Sequence, residues 1–468
     1  MFNASLRGNK VHFTSLGCPR NLVDTEVMLG ILLKAGYEAT QDECDADYLV
    51  VNTCGFLEAS RKESLDTIQA LLDKKKHSAK LVVTGCMVQH HRDEIKKSIP
   101  EVNYILGSGD VNHILELIQT EEDKEIITSS RSYLEAGEVP RKVSTPKHFA
   151  YLKIAEGCRK RCAFCIIPKI KGPLKSKNTE QILKEFHALL NQGVHEIILI
   201  AQDLGDYGKD SGQKDGLTAL LKEMLDSTKK DFWLRLLYLY PDEITDELID
   251  LIKSDSRICH YLDMPIQHVN DTILTAMRRK TSKSDIIQTI TKLRNAIPDI
   301  IIRTSLMVGF PGETEEQFQE LKAFVKEHSL DHIGIFKFSQ EKGAAAATYD
   351  NQISDEVKEK RFQDLMQTQQ KVVAKRNKKW LGKQIPVMLD GLHPESDLLI
   401  VGRFYGQCPE IDGQVIINDG RNAKALGELH LVEITQVAGY DLIGTVIKPI
   451  VAKATAKPKS SRLLQVVS

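Results

Sequence analysis

Tyr151-Leu152-Lys153-Ile154-Ala155-Glu156-Gly157-Cys158-Arg159-Lys160-Arg161-Cys162-Ala163-Phe164-Cys165 is the stretch from which the rest of this 468-residue chain can be read. Tyr151–Ala155 has the apolar character of a buried strand, and the loop after it places three thiols within eight residues. Cubane iron–sulfur clusters are normally held by four cysteines. A triplet with no fourth cysteine nearby leaves one metal position open, as a catalytic metal centre requires. The rival reading is a structural zinc knot. Structural zinc is four-coordinate, and the next histidine, His187, lies on a predicted helix.

Downstream of this loop, strand and helix alternate. Tyr151–Ala155, Glu196–Ala201, Trp233–Leu237, Tyr261–Met264, Ile301–Val308 and His332–Phe338 read as strands, with helices such as Thr179–Asn191 and Glu315–His328 between them. Alternation of this kind implies a parallel sheet. Six units are too few for the eight-fold closed barrel, so a partial (βα)6 barrel is expected, with function at the carboxyl ends of its strands.

Upstream, the same alternation appears three times. The runs Lys10–Leu16, Tyr48–Asn52 and Lys80–Thr84 each end in a short turn and a helical stretch, such as Leu22–Ala35 or Glu58–Leu72. Each run is followed at once by a cysteine, in Gly17-Cys18, Thr53-Cys54 and Gly85-Cys86. Parallel strands point the same way and bind ligands at their carboxyl ends. Cys18, Cys54 and Cys86 should therefore share one rim despite their separation in sequence.

A Ser-, Pro- and charge-rich linker follows from about Thr128 to Lys147. After a charged helix, Ser354–Trp380, come five short runs: Gln384–Leu389, Leu398–Gly402, Gln414–Ile417, Glu428–Gln436 and Leu442–Val446. With Gly and Asp-Gly turns between them, they predict a small antiparallel β-barrel. The tail after Val451, with Lys453, Lys457, Lys459 and Arg462, is expected to be disordered.

Composition narrows the function classes. A net charge of −1 supplies no global field for nucleic acid. No apolar run has membrane-spanning length, and Met1 to Lys10 has no signal-peptide core, so a cytoplasmic location without a membrane partner is expected. Nine cysteines in that compartment point to metals or catalysis more than to disulfides. Cys44, Cys259 and Cys408 lack metal spacing and read as small hydrophobes, and lone His268 reads as a hydrogen-bonded structural residue. Arg235 and Arg303 fall on predicted strands. A buried arginine needs an acid or anion, which either a cofactor's carboxylate or ribose or a structural carboxylate would supply.

The CxxxCxxC loop resembles that of the radical S-adenosylmethionine superfamily. The resemblance implies a [4Fe–4S] cluster on Cys158, Cys162 and Cys165, its open iron chelated by S-adenosylmethionine, with Phe164 packed near the cofactor. Gly193-Val194-His195-Glu196 is the candidate for the stretch that binds the methionine amine, although the same residues also describe an ordinary helix stop. With Ser15-Leu16-Gly17-Cys18-Pro19-Arg20-Asn21, Asn52-Thr53-Cys54-Gly55-Phe56 and Thr84-Gly85-Cys86-Met87 added, the chain resembles the methylthiotransferases of that superfamily, and within them the branch that modifies a ribosomal protein. The likeness continues through Ile166–Pro173, Ala201-Gln202-Asp203, Tyr238-Leu239-Tyr240-Pro241, Asp263–His268, Val308–Thr314, Gly402-Arg403 and Pro409–Gly413.

This likeness implies a methylthiotransferase N-terminal domain (9–125), a linker (126–147), a radical core (148–380), a TRAM β-barrel (381–450) and a tail (451–468). It also implies a second [4Fe–4S] cluster on Cys18, Cys54 and Cys86, and insertion of a methylthio group at the β-carbon of an aspartate in small-subunit ribosomal protein twelve, free or in the ribosome. An electron donor of flavodoxin or ferredoxin type and a sulfur donor are implied as well. Two departures are visible. Lys171, Lys175 and Lys177 stand where arginines are usual, and Lys lacks the bidentate contacts of Arg. Ala344–Ala347 replaces the usual Thr after Gly343.

The rivals are a tRNA adenosine methylthiotransferase of the same family and a non-catalytic iron–sulfur RNA-binding protein. From Leu381 to Lys448 there are five Lys/Arg against nine Asp/Glu. An acidic barrel repels phosphates and complements a basic protein, so tRNA is the disfavoured partner. A scaffold reading leaves unexplained why two separate triplets both follow strands.

Overall fold

The computed structural model describes residues 9–120, 122–127, 133–135 and 137–450. The basic tail lies outside the described residues, as does part of the linker.

The N-terminal sheet is wholly parallel. Its strands lie in the order Glu38–Ala39, Lys10–Ser15, Tyr48–Thr53, Lys80–Gly85, Tyr104–Leu106 and Lys124–Ile126. Three of these are only two or three residues long and carry too little pattern to stand out in sequence. Strand order reverses at Lys10–Ser15, flanked by Glu38–Ala39 on one side and Tyr48–Thr53 on the other. Cys18 and Cys54 follow the two strands that meet there, the place where open parallel sheets bind ligands.

The second sheet holds six parallel strands in sequential order: Phe149–Lys153, Glu196–Ile200, Trp233–Leu236, Ile258–Asp263, Ile301–Val308 and His332–Lys337. Its first strand starts and ends two residues earlier than expected. Ala155 and Glu156 instead pair antiparallel with Ser176 and Lys175 in a separate small sheet. One face of the six-stranded sheet packs on its helices through residues such as Leu152, Phe186, Leu234 and Phe324.

The inner face packs on the C-terminal domain through Tyr151, Ile198, Tyr261, Phe404 and Cys408. That domain is a closed five-stranded barrel, antiparallel except for the parallel pairing of Val415–Asp419 with Asp441–Pro449. Its segment 404–412 enters the partial barrel. Arg235 donates to the Tyr405 carbonyl at 2.6 Å, Tyr261 to Asp412 at 2.8 Å and Tyr151 to Glu410 at 3.2 Å. One end of the partial barrel is thereby filled with protein, and the cysteine-bearing rim is left as the working end.

Helix Pro19–Lys34 joins the first two domains. Proline at its first position suits a helix start, where a backbone N–H has no partner to lose. Asp24 and Glu26 are buried in it although they are charged. Glu26 accepts from Arg141 at 2.6 and 2.9 Å and from the Ser144 backbone and hydroxyl at 2.6 and 2.8 Å. Removing one partner of a buried pair strands the other charge. Glu26→Ala should therefore lower unfolding stability by about 3–5 kcal/mol, read from the denaturant midpoint against wild type.

Candidate functional site

Each triplet is held by main-chain constraints before any metal is considered. Cys18 is the N-cap of helix Pro19–Lys34, with extended backbone. Gly17 precedes it at φ +89°, and a Cβ there would lie 2.8 Å from the Cys54 Cβ. Only glycine lets the two cysteine loops come this close. Asn21 then ties all three N-terminal loops together. Its amide donates to the carbonyls of Leu16 (3.1 Å) and Thr53 (3.0 Å), and its Oδ1 accepts from the Cys86 thiol at 3.5 Å.

The second triplet is fixed in the same manner. Gly157, at φ +78°, lies under Pro173, whose carbonyl oxygen would be 2.1 Å from an added Cβ. Main-chain bonds tie Cys158 N to the Gly172 carbonyl at 3.3 Å, Ala163 N to Met277 at 3.0 Å and Ala346 N to Ala163 at 2.8 Å. The sulfurs face donors: Lys160 N and Ile167 N each lie 3.4 Å from the sulfurs of Cys158 and Cys165. The Tyr240 hydroxyl is 3.5 Å and Arg279 Nη1 3.7 Å from the Cys162 sulfur. N–H donors and cations around sulfur favour the thiolate, which is the ligand form.

Burial pushes the Cys86 and Cys165 thiols up to about 12 and Cys158 to about 11. Cys18 is different. Burial opposes its ionisation too, but the Arg20 guanidinium and the backbone N–H groups of Asn21 and Arg20 hold it below the ordinary thiol value. Among the described residues, the one group of three His, Cys, Asp or Glu ligand atoms lying within 4.8 Å of one another is Asp203, Asp206 and Glu243, so the sulfurs of each triplet spread wider. Zn–S bonds of about 2.3 Å would draw tetrahedral sulfurs to roughly 3.8 Å apart. Three thiols with N–H donors, glycine clearance and wider spacing suit a polynuclear iron–sulfur group better than one zinc ion.

The two triplets are connected through neighbouring side chains. Cys86 packs against Ile166, the residue after Cys165. Arg20 lies between the sets: it acts on Cys18 and Cys165, donates to the Ala201 carbonyl at 2.7 Å and lies 4.7 Å over the Tyr238 ring. Lys171 is buried between Glu156 at 2.8 Å and Asp24 at 3.2 Å, and its charge also acts on Cys86 and Cys18.

The other candidates fall in different places. Phe164 packs, partly buried, against the cluster of Phe310, Phe338 and Met277 beside the cysteine loop. Arg303 reaches Asp263 at 2.9 Å and Asp412 at 3.3 Å, on the inner wall. Glu196 and Arg235 require a correction. Both are fully buried, and Glu196 binds Arg235 Nε at 2.6 Å and Arg403 Nη1 at 2.7 Å. Glu196 opens its strand at the amino end, away from the cysteine rim, so its carboxylate serves the joint with the β-barrel and not a cofactor amine. His268 is buried on Glu313 at 3.2 Å. Cys44 is exposed, and Cys259 and Cys408 are buried apart from both triplets.

Sequence reading assigned no role to Arg20, Asn21, Asp203, Tyr238 or Tyr240, although all lie in the quoted motifs. Asp203 sits at the carboxyl end of the strand that Glu196 begins. Burial, with Asp206 and Glu243 nearby, pushes its carboxyl up to about 7 against the pull of Lys160. Its charge is felt at Cys158. Lys160, 3.4 Å from Asp203 and 2.6 Å from Glu243, fills the space between these acids.

Comparison with known proteins agrees with this layout. Residues 10–107 match the uncharacterized protein family UPF0004, 152–325 the radical SAM superfamily and 381–447 the TRAM domain. The chain is 67% identical over 442 residues to the ribosomal protein uS12 methylthiotransferase RimO of Protochlamydia amoebophila, covering 94% of this chain and 93% of that one. It is 57% identical to the RimO of Chlamydia caviae over 451 residues, covering 96% and 98%. Among solved structures, the radical S-adenosylmethionine methyltransferase TsrM of Kitasatospora setae, with cobalamin and a [4Fe–4S] cluster bound, superposes with a TM-score of 0.52 at 14% identity, covering 71% of this chain and 75% of that one. That likeness is one of fold.

The correction at Glu196 is testable. Glu196→Gln leaves Arg235 and Arg403 without their shared carboxylate and should cost about 3–5 kcal/mol of stability. S-adenosylmethionine affinity, measured by equilibrium binding, should stay at the wild-type value.

Proposed function

The chain belongs to the RimO family of radical S-adenosylmethionine methylthiotransferases, and from that premise we propose that it inserts a methylthio group at the β-carbon of an aspartate in ribosomal protein uS12. The feature that carries this reading is that two cysteine triplets, from the strand ends of two different sheets, are linked by Cys86 beside Ile166 and by Arg20, which acts on a sulfur of each. A single radical centre needs only one triplet.

In this reading Cys158, Cys162 and Cys165 hold one [4Fe–4S] cluster and Cys18, Cys54 and Cys86 a second. When bound, the first with S-adenosylmethionine supplies a hydrogen-abstracting radical, and the second supplies the site for the sulfur to be transferred. The protein's part is placement. Lys160 N, Ile167 N, Tyr240 and Arg279 stabilise the core thiolates. Asp203, beside Cys158, is the carboxylate placed to accept a cofactor ammonium. Phe164 and its apolar neighbours keep water from one side of the cysteine loop. An external reductant of flavodoxin or ferredoxin type and a sulfur donor complete the requirements.

The β-barrel supports a protein substrate over tRNA. Asp390 and Asp412 turn inward onto Arg403 and Arg303, and Arg403 turns inward with them. Seven of the nine acids and four of the five cations of this region remain, so the acidic excess persists. A basic ribosomal protein is attracted by such a field and a polyanion is repelled.

Mass spectrometry of uS12 and of tRNA nucleosides, from cells with and without the gene, tests the substrate. A methylthio mass gain on uS12 alone is expected, and a gain on tRNA alone would sink the assignment. The division of labour is tested with anaerobically reconstituted variants. Cys158→Ala, Cys162→Ala and Cys165→Ala together should abolish 5′-deoxyadenosine formation. Cys18→Ala, Cys54→Ala and Cys86→Ala together should leave cofactor cleavage but give no methylthiolated uS12.

A further inference from the structure

We propose that Arg20 is the receptor for the carboxylate of the substrate aspartate, an inference that rests on the functional reading above. The first ground is charge. The buried cations along the joint between the N-terminal domain and the core have acid partners: Arg141 has Glu26 and Glu185, Lys153 has Asp24, and Lys171 has Asp24 and Glu156. At the rim, Lys160 has Glu243 and Arg303 has Asp263. Arg20 stands apart. Its neighbours are the Ala201 carbonyl, the Tyr238 ring and cysteine sulfur, and among the described residues no carboxylate lies within ion-pair distance of it.

The second ground is place. Arg20 acts on Cys18 of one triplet and on Cys165 of the other. It is only half-buried. In the proposed reaction a methylthio group from one triplet and a radical from the other must reach one substrate carbon, and Arg20 acts on a sulfur of each triplet. The β-carbon of an aspartate is one bond from its carboxylate, so anchoring the carboxylate positions the reacting carbon.

The third ground is the state of the guanidinium. One Nη1–H is spent on Ala201, and the tyrosine ring supports its face. A guanidinium fixed this way keeps further in-plane N–H groups, the fork that recognises a carboxylate bidentately. An adenosine offers no carboxylate, so the same residue contributes to choosing a protein substrate.

The test uses the full-length, anaerobically reconstituted protein with two forms of uS12, wild type and one whose target aspartate is replaced by asparagine. Wild-type enzyme should bind the aspartate form roughly ten- to a hundredfold more tightly, the range of a charged hydrogen bond. Arg20→Met should bind both forms alike, at the level of the asparagine form, and Arg20→Lys should recover part of the difference. The two changes should be non-additive, as expected of groups in contact. Iron content and the electron paramagnetic resonance spectrum of each variant report separately on the clusters. An Arg20→Met protein that keeps the wild-type preference, or weakens both forms equally, overturns the proposal and leaves Arg20 as a counter-charge to the thiolates. A wild-type enzyme that neither binds nor methylthiolates uS12 overturns the functional reading, and this proposal with it.

Discussion

Four buried charges at the joint between two domains hold the site together. Asp24 comes from helix Pro19–Lys34, Lys153 ends the first core strand, Glu156 precedes Cys158, and Lys171 lies six residues after Cys165. Their side chains are at most 3% exposed. Taking such ions out of water costs several kcal/mol each, recovered only when every partner is in place. The network therefore has one good arrangement. In that arrangement the helix capped by Cys18 and the loop carrying the core triplet are locked together, with Lys171 also reaching the Ser108 carbonyl at 3.3 Å. A hydrophobic joint of equal area would hold the domains but would fix their register less sharply. Lys171 works here as a point charge shared by two acids, a role that needs no bidentate fork.

The other end of the core meets a different requirement. A six-stranded partial barrel leaves its inner wall open, and this wall carries Glu196, Arg235, Tyr261 and Arg303. Segment 404–412 supplies what they need: the Tyr405 carbonyl for Arg235, Asp412 for Tyr261 and Arg303, and the Gly406 carbonyl for His332 at 2.9 Å. Arg403 completes the set by sharing Glu196 with Arg235. The TRAM barrel is thus a structural part of the core as well as an outer surface. With that end filled, the strand carboxyl ends are left as the route to the cysteines.

How much of this was legible in sequence depended on the range of the signal. Cys158, Cys162 and Cys165 are eight residues of local spacing and needed no fold. Cys18, Cys54 and Cys86 became readable only through the repeated strand that precedes each. Helices Thr179–Asn191 and Glu315–His328 have the expected bounds, because caps and periodicity are local as well. Glu196 differs from the expectation for a definite reason: a Gly and a Glu before a strand mark its amino end, whereas the ligand rim lies at the other. Asp203, seven residues on, occupies that rim. Arg20 and Ala201 are 181 positions apart, and no periodicity connects them. The edge strands Tyr104–Leu106 and Lys124–Ile126 are too short to hold a pattern, and neighbouring strands impose their extended form.

The segment Tyr238-Leu239-Tyr240-Pro241 shows how one stretch of backbone serves both triplets. Residues two apart in an extended chain point to the same side, which would aim both tyrosines at one triplet. Tyr238 breaks the alternation with φ +63°, a conformation costing of order 1 kcal/mol or more for a bulky residue. Asp263 holds it there, accepting from Tyr238 N at 3.2 Å through its side chain and from Leu239 N at 2.9 Å through its carbonyl, while Tyr238 O accepts from Leu204 N at 2.9 Å. The result is that Tyr238 lies under Arg20 on the N-terminal side, while Tyr240 meets the Cys162 sulfur at 3.5 Å and lies 4.0 Å under Arg279. Each triplet thus has a tyrosine–arginine pair beside one of its sulfurs. Arg279 is buried with its other donor group on the Pro265 carbonyl at 2.5 Å, whereas Arg20 stays half-buried. The hydrogen bonds with Asp263 and Leu204 thus fix the strained Tyr238 so that one short segment places a ring against each of two arginines of unlike exposure.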